Sequence, residues 1–175
     1  MTISLRSLLV VWHSRTGASR QLAAAAARGA RDSLRQDEAG VPCVRVDRVH
    51  ARVADARGVC AASAYIFVAP ENLGSLSGAM KDFFDRTYYG VLDRVAGRPY
   101  AVIIAAGSDG QGAARQVQRI ATGWRLQAVA EPLIVITQAQ TAETILAPKH
   151  LAQRELTRAR ELGAAMAQGL ALGIF

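Results

Sequence analysis

Between residues 14 and 19 the chain reads Ser14-Arg15-Thr16-Gly17-Ala18-Ser19, three hydroxyls grouped around one glycine. An apolar run, residues 8–12, precedes the segment and an alanine-rich run, residues 23–27, follows it, so a strand hands over to a helix here. The first N–H groups of a helix have no carbonyl partner inside it, and the helix dipole is positive at that end. Unpaired amides, that dipole and nearby hydroxyl donors together form a cradle for a phosphate. Gly17 lets the backbone bend and come close to the anion, and Arg15 or Arg20 can add charge. A helix cap alone would require Ser19 and leave Ser14 and Thr16 without a role.

Two further loops carry unusual residues. Residues 70–86 read PENLGSLSGAMKDFFDR, and residues 107–112 read GSDGQG. Glycine-containing loops bring backbone amides close to a ligand, which is how a flat polar heterocycle is best read. A nucleoside triphosphate loop of the form GxxxxGK[ST] is absent from the sequence, and residues 107–112 do not spell GxGxxG. We find no Ser/His/Asp set and no paired carboxylates, and His50 and His150 have no suggestive neighbours in the sequence.

The elements that must position these loops follow from patterning. Apolar, β-branched runs at residues 3–12, 41–49, 64–69, 100–106 and 128–137 have the near-continuous character of strands covered on both faces. Helical stretches lie at residues 19–34, 53–62, 78–92, 113–124 and 149–172, the last with a stripe of Leu151, Leu156, Ala159, Leu162, Met166 and Leu170. Alternating strands and helices predict a doubly wound α/β fold with a parallel sheet. Ligands of such sheets bind outside the carboxyl ends of the strands, where the three loops fall. Phe83 and Phe84 are expected in the core.

At this point a resemblance enters. Residues 14–19 resemble the S/T-x-T-G-x-T/S phosphate loop of the flavodoxin superfamily. Residues 70–81 are similar to the P-E-x-x-G-S-x-x-G-x-x-K segment of NAD(P)H-dependent FMN reductases and related quinone reductases, followed by the F-x-D-R of flavodoxin-like oxidoreductases. The resemblance implies a flavodoxin-like three-layer sandwich, five parallel strands in the order 2-1-3-4-5, as one domain over residues 1–175. It implies FMN, with the phosphate held by Ser14, Arg15, Thr16, Gly17, Ala18 and Ser19. Pro70, Glu71, Asn72, Leu73, Gly74 and Ser75 would border one edge of the flavin, and Gly107, Ser108, Asp109 and Gly110 the other. Glu71 and Asp109 are kept as ring-edge or loop-structuring residues, without a role in proton transfer. Relatives commonly carry a tyrosine and an asparagine where this chain has Asn72 and Leu73, so that aromatic wall is missing. Trp12, His13, Tyr88, Tyr89 and Trp124 are the remaining aromatic candidates for cover.

The implied activity is a ping-pong exchange: NAD(P)H reduces bound FMN, and a quinone, free flavin or similar small acceptor reoxidises it. A homodimer or homotetramer is the implied assembly. An electron carrier of the flavodoxin type and a flavodoxin-like binding module without FMN are the alternatives. The net charge of +7 weighs against the carrier, because such carriers are typically acidic.

Composition is in keeping with this reading. The 175 residues, 51% of them hydrophobic, suffice for one core. Of 21 basic residues only Lys81 and Lys149 are lysines, and the arginines are spread along the chain, often beside acids, which argues against a nucleic-acid surface. No apolar run approaches the roughly 18 residues of a membrane span, and the start of the chain lacks a secretion signal, so a cytoplasmic protein is expected. Cys43 and Cys60 lack CxxC or Cys/His spacing and are expected to be buried, reduced thiols; no metal site is expected.

Overall fold

The computed structural model describes residues 6–34 and 43–175. Five strand positions form a parallel sheet: β2 (Val44–His50), β1 (Arg6–Trp12), β3 (Ala64–Asn72), β5 (Pro99–Ala106), and a last position shared by β6 (Gln127–Ala128) and β7 (Leu133–Ile136). The expected order 2-1-3-4-5 is thus present with seven strands instead of five. The last strand is broken, because residues 129–132 include Pro132, which has no N–H for a ladder, and β5 pairs separately with each half. The seventh, β4 (Ser75–Leu76), folds antiparallel onto the end of β3. Elsewhere the parallel register runs Leu8 beside Val46 and Ala64, and Phe67 beside Val102.

The helices are α1 (Ala18–Asp32), α2 (Ala56–Ala61), α3 (Gly78–Val91), α4 (Gln111–Gly123), α5 (Ala142–Leu146) and α6 (Gln153–Leu172). Alternate residues of the strands face opposite sides, so each face of the sheet has its own core. Leu8, Val10, Ile66, Val68 and Ile103 pack beneath α1 and α6. Leu9, Val11, Phe67, Val102 and Ile104 pack beneath α3 and α4. The first face is built of alanine and glycine: a Cβ on Gly163 would overlap the Ala26 carbonyl, and one on Gly29 the Arg160 carbonyl, so α1 and α6 touch backbone to backbone. The second face is aromatic, with Phe67, Phe83, Phe84 and Trp124 in one cluster of tilted rings. Phe83 and Phe84 lie in the core as expected.

Several boundaries differ from the sequence reading. Pro70, Glu71 and Asn72 continue β3 instead of opening a loop, since β4 supplies partners for that end of the strand. Helix α2 is shorter than residues 53–62, starting after Asp55, whose carboxylate accepts the Gly58 N–H at 2.7 Å. Residues 149–152 lie outside the helix, and α6 begins at Gln153 after an extended Ala152. Helix α5 is absent from the sequence reading. Residues 3–5 of the first expected strand and 41–42 of the second lie outside the described residues. The cysteines are free thiols, but Cys43 is exposed and Cys60 only partly buried, so neither is the fully buried thiol expected. No helix among the described residues is long and apolar enough to cross a membrane.

Candidate functional site

The carboxyl end of the sheet is built from β1 outward. Gly17 caps α1 in the left-handed region, φ 102°, a conformation open to glycine and costly for other residues. The Ser14 hydroxyl accepts the Gly17 N–H at 3.0 Å and fixes the turn while keeping its own hydrogen to donate. The first helical bond runs from Gln21 N–H to the Gly17 carbonyl, so the amides of Ala18, Ser19 and Arg20 precede the ladder. Ser19 is fully buried in the first turn, and its Oγ is the only buried side-chain polar atom of the described residues without a hydrogen-bond partner. Its role is therefore not that of a cap; Gly17 occupies that position.

The second segment is a hairpin. Leu73 (φ 53°) and Gly74 (φ 73°) form its tip, and Asn72 pairs with Ser75 across it. Leu73 is fully exposed. Two contacts tie the hairpin to α4. Glu71 turns its carboxylate into the third loop, Oε1 accepting the Gly110 N–H at 2.9 Å and Oε2 the Ala113 N–H at 3.0 Å. Gln116 Oε1 accepts the Leu76 N–H at 2.8 Å. Gly110, the α4 cap, has no side chain, so Glu71 caps the helix from another element. Gly112 completes the contact, since a Cβ there would overlap the Gly74 carbonyl.

These elements enclose a cavity of about 270 Å³. Arg15, Thr16 and Ala18 line it from the first loop, Pro70, Glu71, Asn72, Leu73 and Gly74 from the hairpin, and Gly107 and Ser108 from the third loop. Three sequence-distant segments named for one ligand therefore share one wall. Six of the named residues stand elsewhere. Ser14 and Gly17 line a neighbouring cavity, Ser19 lies buried behind the loop, and the Ser75 hydroxyl turns back toward the Asn72 carbonyl. Asp109 is exposed, and Gly110 gives its N–H to Glu71.

The sequence reading missed the far wall. Thr137, Ala139, Ile145 and Lys149 line the same cavity, the first two from the segment after β7, Ile145 from α5 and Lys149 from the segment after it. The Lys149 N–H donates to the Thr16 carbonyl at 2.8 Å, and Gln21 Nε2 donates to the carbonyls of Gly17 and Lys149. The Lys149 ammonium is turned onto the carbonyls of Thr144, Ile145 and Ala147, closing the end of α5. A signal existed: Thr141 and Thr144 form a capping box that starts α5.

The aromatic candidates divide. Trp124 is buried in the core, with Tyr88 stacked on it, and Tyr89 points to solvent, so none of these three covers the cavity. His13 Nδ1 lies 2.7 Å from the Ser77 hydroxyl, joining the end of β1 to the start of α3. Burial first, then the nearby His50 and the Arg52 charge, holds the His13 pKa below its ordinary 6.5. His50 is likewise lowered, by burial and then by Arg52. The His50 ring meets Trp12 edge-on with centroids 4.7 Å apart. No cluster of metal-ligating side chains occurs among the described residues.

A doubly wound parallel sheet with a phosphate-type loop after β1 and two glycine-bearing segments after β3 and β5 defines a mononucleotide-binding α/β protein. The family model for NADPH-dependent FMN reductase matches residues 13–141, and the chain belongs to that family. No curated protein matches the sequence. Among solved structures, a flavodoxin from the domain Archaea superposes with a TM-score of 0.71 at 14% identity, covering 94% of this chain and 98% of the other. Flavodoxin 1 from Bacillus cereus gives 0.71 at 18% identity, with 94% and 99% covered. A flavodoxin WrbA-like protein from Agrobacterium tumefaciens gives 0.61 at 18% identity, with 96% and 98% covered. At these identities the structures establish the fold. The family adds FMN as the ligand and NADPH as the reductant, which makes the chain a flavin-binding oxidoreductase.

The residues present fit that ligand. A buried hydroxyl without a partner lies directly behind a loop of unpaired amides, and a phosphate is an acceptor that would satisfy both.

Proposed function

We propose that the protein oxidises NADPH and passes the electrons to a small acceptor, a quinone or free flavin. Bound FMN supplies the redox chemistry, which no side chain of this chain provides. The chain's own part is to bind, orient and shield. The amides of Ala18, Ser19 and Arg20, with the hydroxyls of Ser14, Thr16 and Ser19, would hold the phosphate. The hairpin residues 70–74 and the loop residues Gly107 and Ser108 would border the ring. Glu71 would fix the distance between these two edges, since its carboxylate joins them. The carboxylate is engaged by two amides, so the proposed chemistry needs no proton from it.

The observation carrying this reading is the unpartnered Ser19 hydroxyl buried behind the first loop, beside a cavity whose walls come from all three loops. The test is a titration of ligand-free protein with FMN and with riboflavin, followed by steady-state NADPH oxidation with a quinone or free FMN as acceptor. Tight FMN binding, weaker riboflavin binding and turnover with either acceptor support the proposal. FMN binding without turnover would leave an electron carrier instead.

A further inference from the structure

His13 stands between β1 and the first loop and bonds outward on two sides. Its backbone N–H donates to the Val68 carbonyl at 3.0 Å, and its Nδ1 lies 2.7 Å from the Ser77 hydroxyl. Ser77 is fully buried and closes the hairpin. Its N–H donates to the Pro70 carbonyl at 3.2 Å, and its own carbonyl accepts the Met80 and Lys81 N–H groups at the start of α3. Among the described residues, the His13–Ser77 contact is the one side-chain hydrogen bond between residues 13–19 and residues 70–77. Glu71 and Gln116 tie the hairpin to α4, and the His13 side chain ties it to the first loop.

Ser77 holds the cap position of α3, where a serine side chain ordinarily accepts an N–H of the first turn. Here it makes no cap bond. The buried hydroxyl has no partner besides His13, so its hydrogen goes to Nδ1 and the ring is the acceptor. Only a neutral imidazole can accept. A protonated ring carries N–H on both nitrogens and would leave the Ser77 hydrogen unpaired in the interior. The surroundings also oppose a charge on His13. The side chain is half-buried, the His50 ring at the end of β2 lies 5.6 Å away between centroids, and the Arg52 cation stands in the turn after it. None of the ion pairs among the described residues includes either histidine. Resting on the assignment of the first loop and the hairpin to FMN, we propose that neutral His13 is a positioning residue that fixes the hairpin against the phosphate loop, so that acid loosens the hold on the flavin ring. The residues on either side of this bond are those assigned to opposite ends of the cofactor. Losing the bond frees the hairpin and weakens the ring contacts, which FMN and riboflavin share.

The experiment titrates ligand-free full-length protein with riboflavin and with FMN from about pH 5 to about pH 8, as wild type, His13→Ala, His13→Asn, Ser77→Ala and His50→Gln. Riboflavin gives the pH profile because it has no phosphate to titrate. The expected wild-type riboflavin affinity is constant above about pH 6.5 and weaker by about threefold or more near pH 5. His13→Ala and Ser77→Ala each weaken both flavins about fivefold at about pH 8, the scale of one hydrogen bond, and the double variant is no worse than either. His13→Asn keeps an acceptor where Nδ1 stood, so it retains the affinity at about pH 8 and abolishes the pH dependence, which a merely structural role would not do. His50→Gln retains the dependence. The His13→Asn profile decides even where His13→Ala does not fold. Unchanged riboflavin affinity in Ser77→Ala, a decline that persists in His13→Asn, or loss of FMN affinity without loss of riboflavin affinity in His13→Ala would each overturn the inference. The two readings fail separately. Wild-type protein that binds neither flavin sinks the site assignment and this inference with it; normal flavin binding and NADPH turnover in every variant overturns this inference alone.

Discussion

The Ser19 hydroxyl is an unusual cost for a folded protein. A buried donor without a partner is destabilising by about 1 kcal/mol or more, so Ser19→Ala should raise the stability of the ligand-free protein by about 1 kcal/mol. The same change should weaken FMN about tenfold and leave riboflavin untouched, because only FMN brings the phosphate. Denaturant midpoints and parallel titrations check both halves. His13 gives a pH prediction. Its pKa is held below 6.5 in the folded protein, so the unfolded chain binds protons first as the pH falls. Stability is complete above about pH 6.5, declines as the pH drops toward the folded value, and then levels off. His50 shifts in the same direction and adds to the slope. His13→Asn should flatten that decline without abolishing it, as read from melting temperatures on either side of pH 6.5. Residue types in the first loop were readable from sequence, since three hydroxyls and a glycine in six positions already specify an anion cradle. Their individual roles were not. That Ser14 folds the turn while Ser19 waits unpaired depends on which side of the helix start each faces.

At the scale of elements, the site depends on how the hairpin and α4 are held together. Glu71 serves a helix on a different segment, 39 positions further along for its bond to Gly110. Glu71→Gln keeps the shape but loses the charge toward the helix start and one acceptor oxygen. It should cost about 1–2 kcal/mol in urea unfolding. Gly112→Ala pushes a methyl group into the Gly74 carbonyl and should displace the hairpin. Riboflavin and FMN affinities should then fall together, in contrast to Ser19→Ala, and flavin titration distinguishes the two. Strand and helix alternation was legible because each strand is an apolar run covered on both faces. The hairpin was read as a loop, since β3 continues beyond Pro70 only with the two residues of β4 as partners. Helix α5 left only its capping residues as a signal, because five residues are too few to show a period and no side chain on it is buried. Yet it and the segment after it supply a wall of both cavities.

At the scale of the whole molecule, the two faces of the sheet solve packing differently. One is filled by aromatic rings; the other brings two helices into backbone contact through Gly29 and Gly163. Gly163→Ala should therefore destabilise the fold by about 2 kcal/mol, measurable in thermal or urea unfolding, while FMN affinity of the folded fraction stays constant. The sequence showed the α6 stripe, but not that its partner would be α1, because alanine and glycine carry no pattern of their own. The excess of positive charge, read from sequence as a general feature, is gathered in part at the cavity that Ser14 and Gly17 line, where Arg15 and Arg20 stand.

The broken strand at one side of the sheet has a consequence for life in a crowded solution. An outermost strand is a ready template on which foreign chains can polymerise. Here Pro132 interrupts one margin, while on the opposite margin β2 alternates valines with Arg45, Asp47 and Arg48. Neither border presents a long, greasy ribbon, so the protein is guarded against fibril growth by the same irregularity that makes its last strand short.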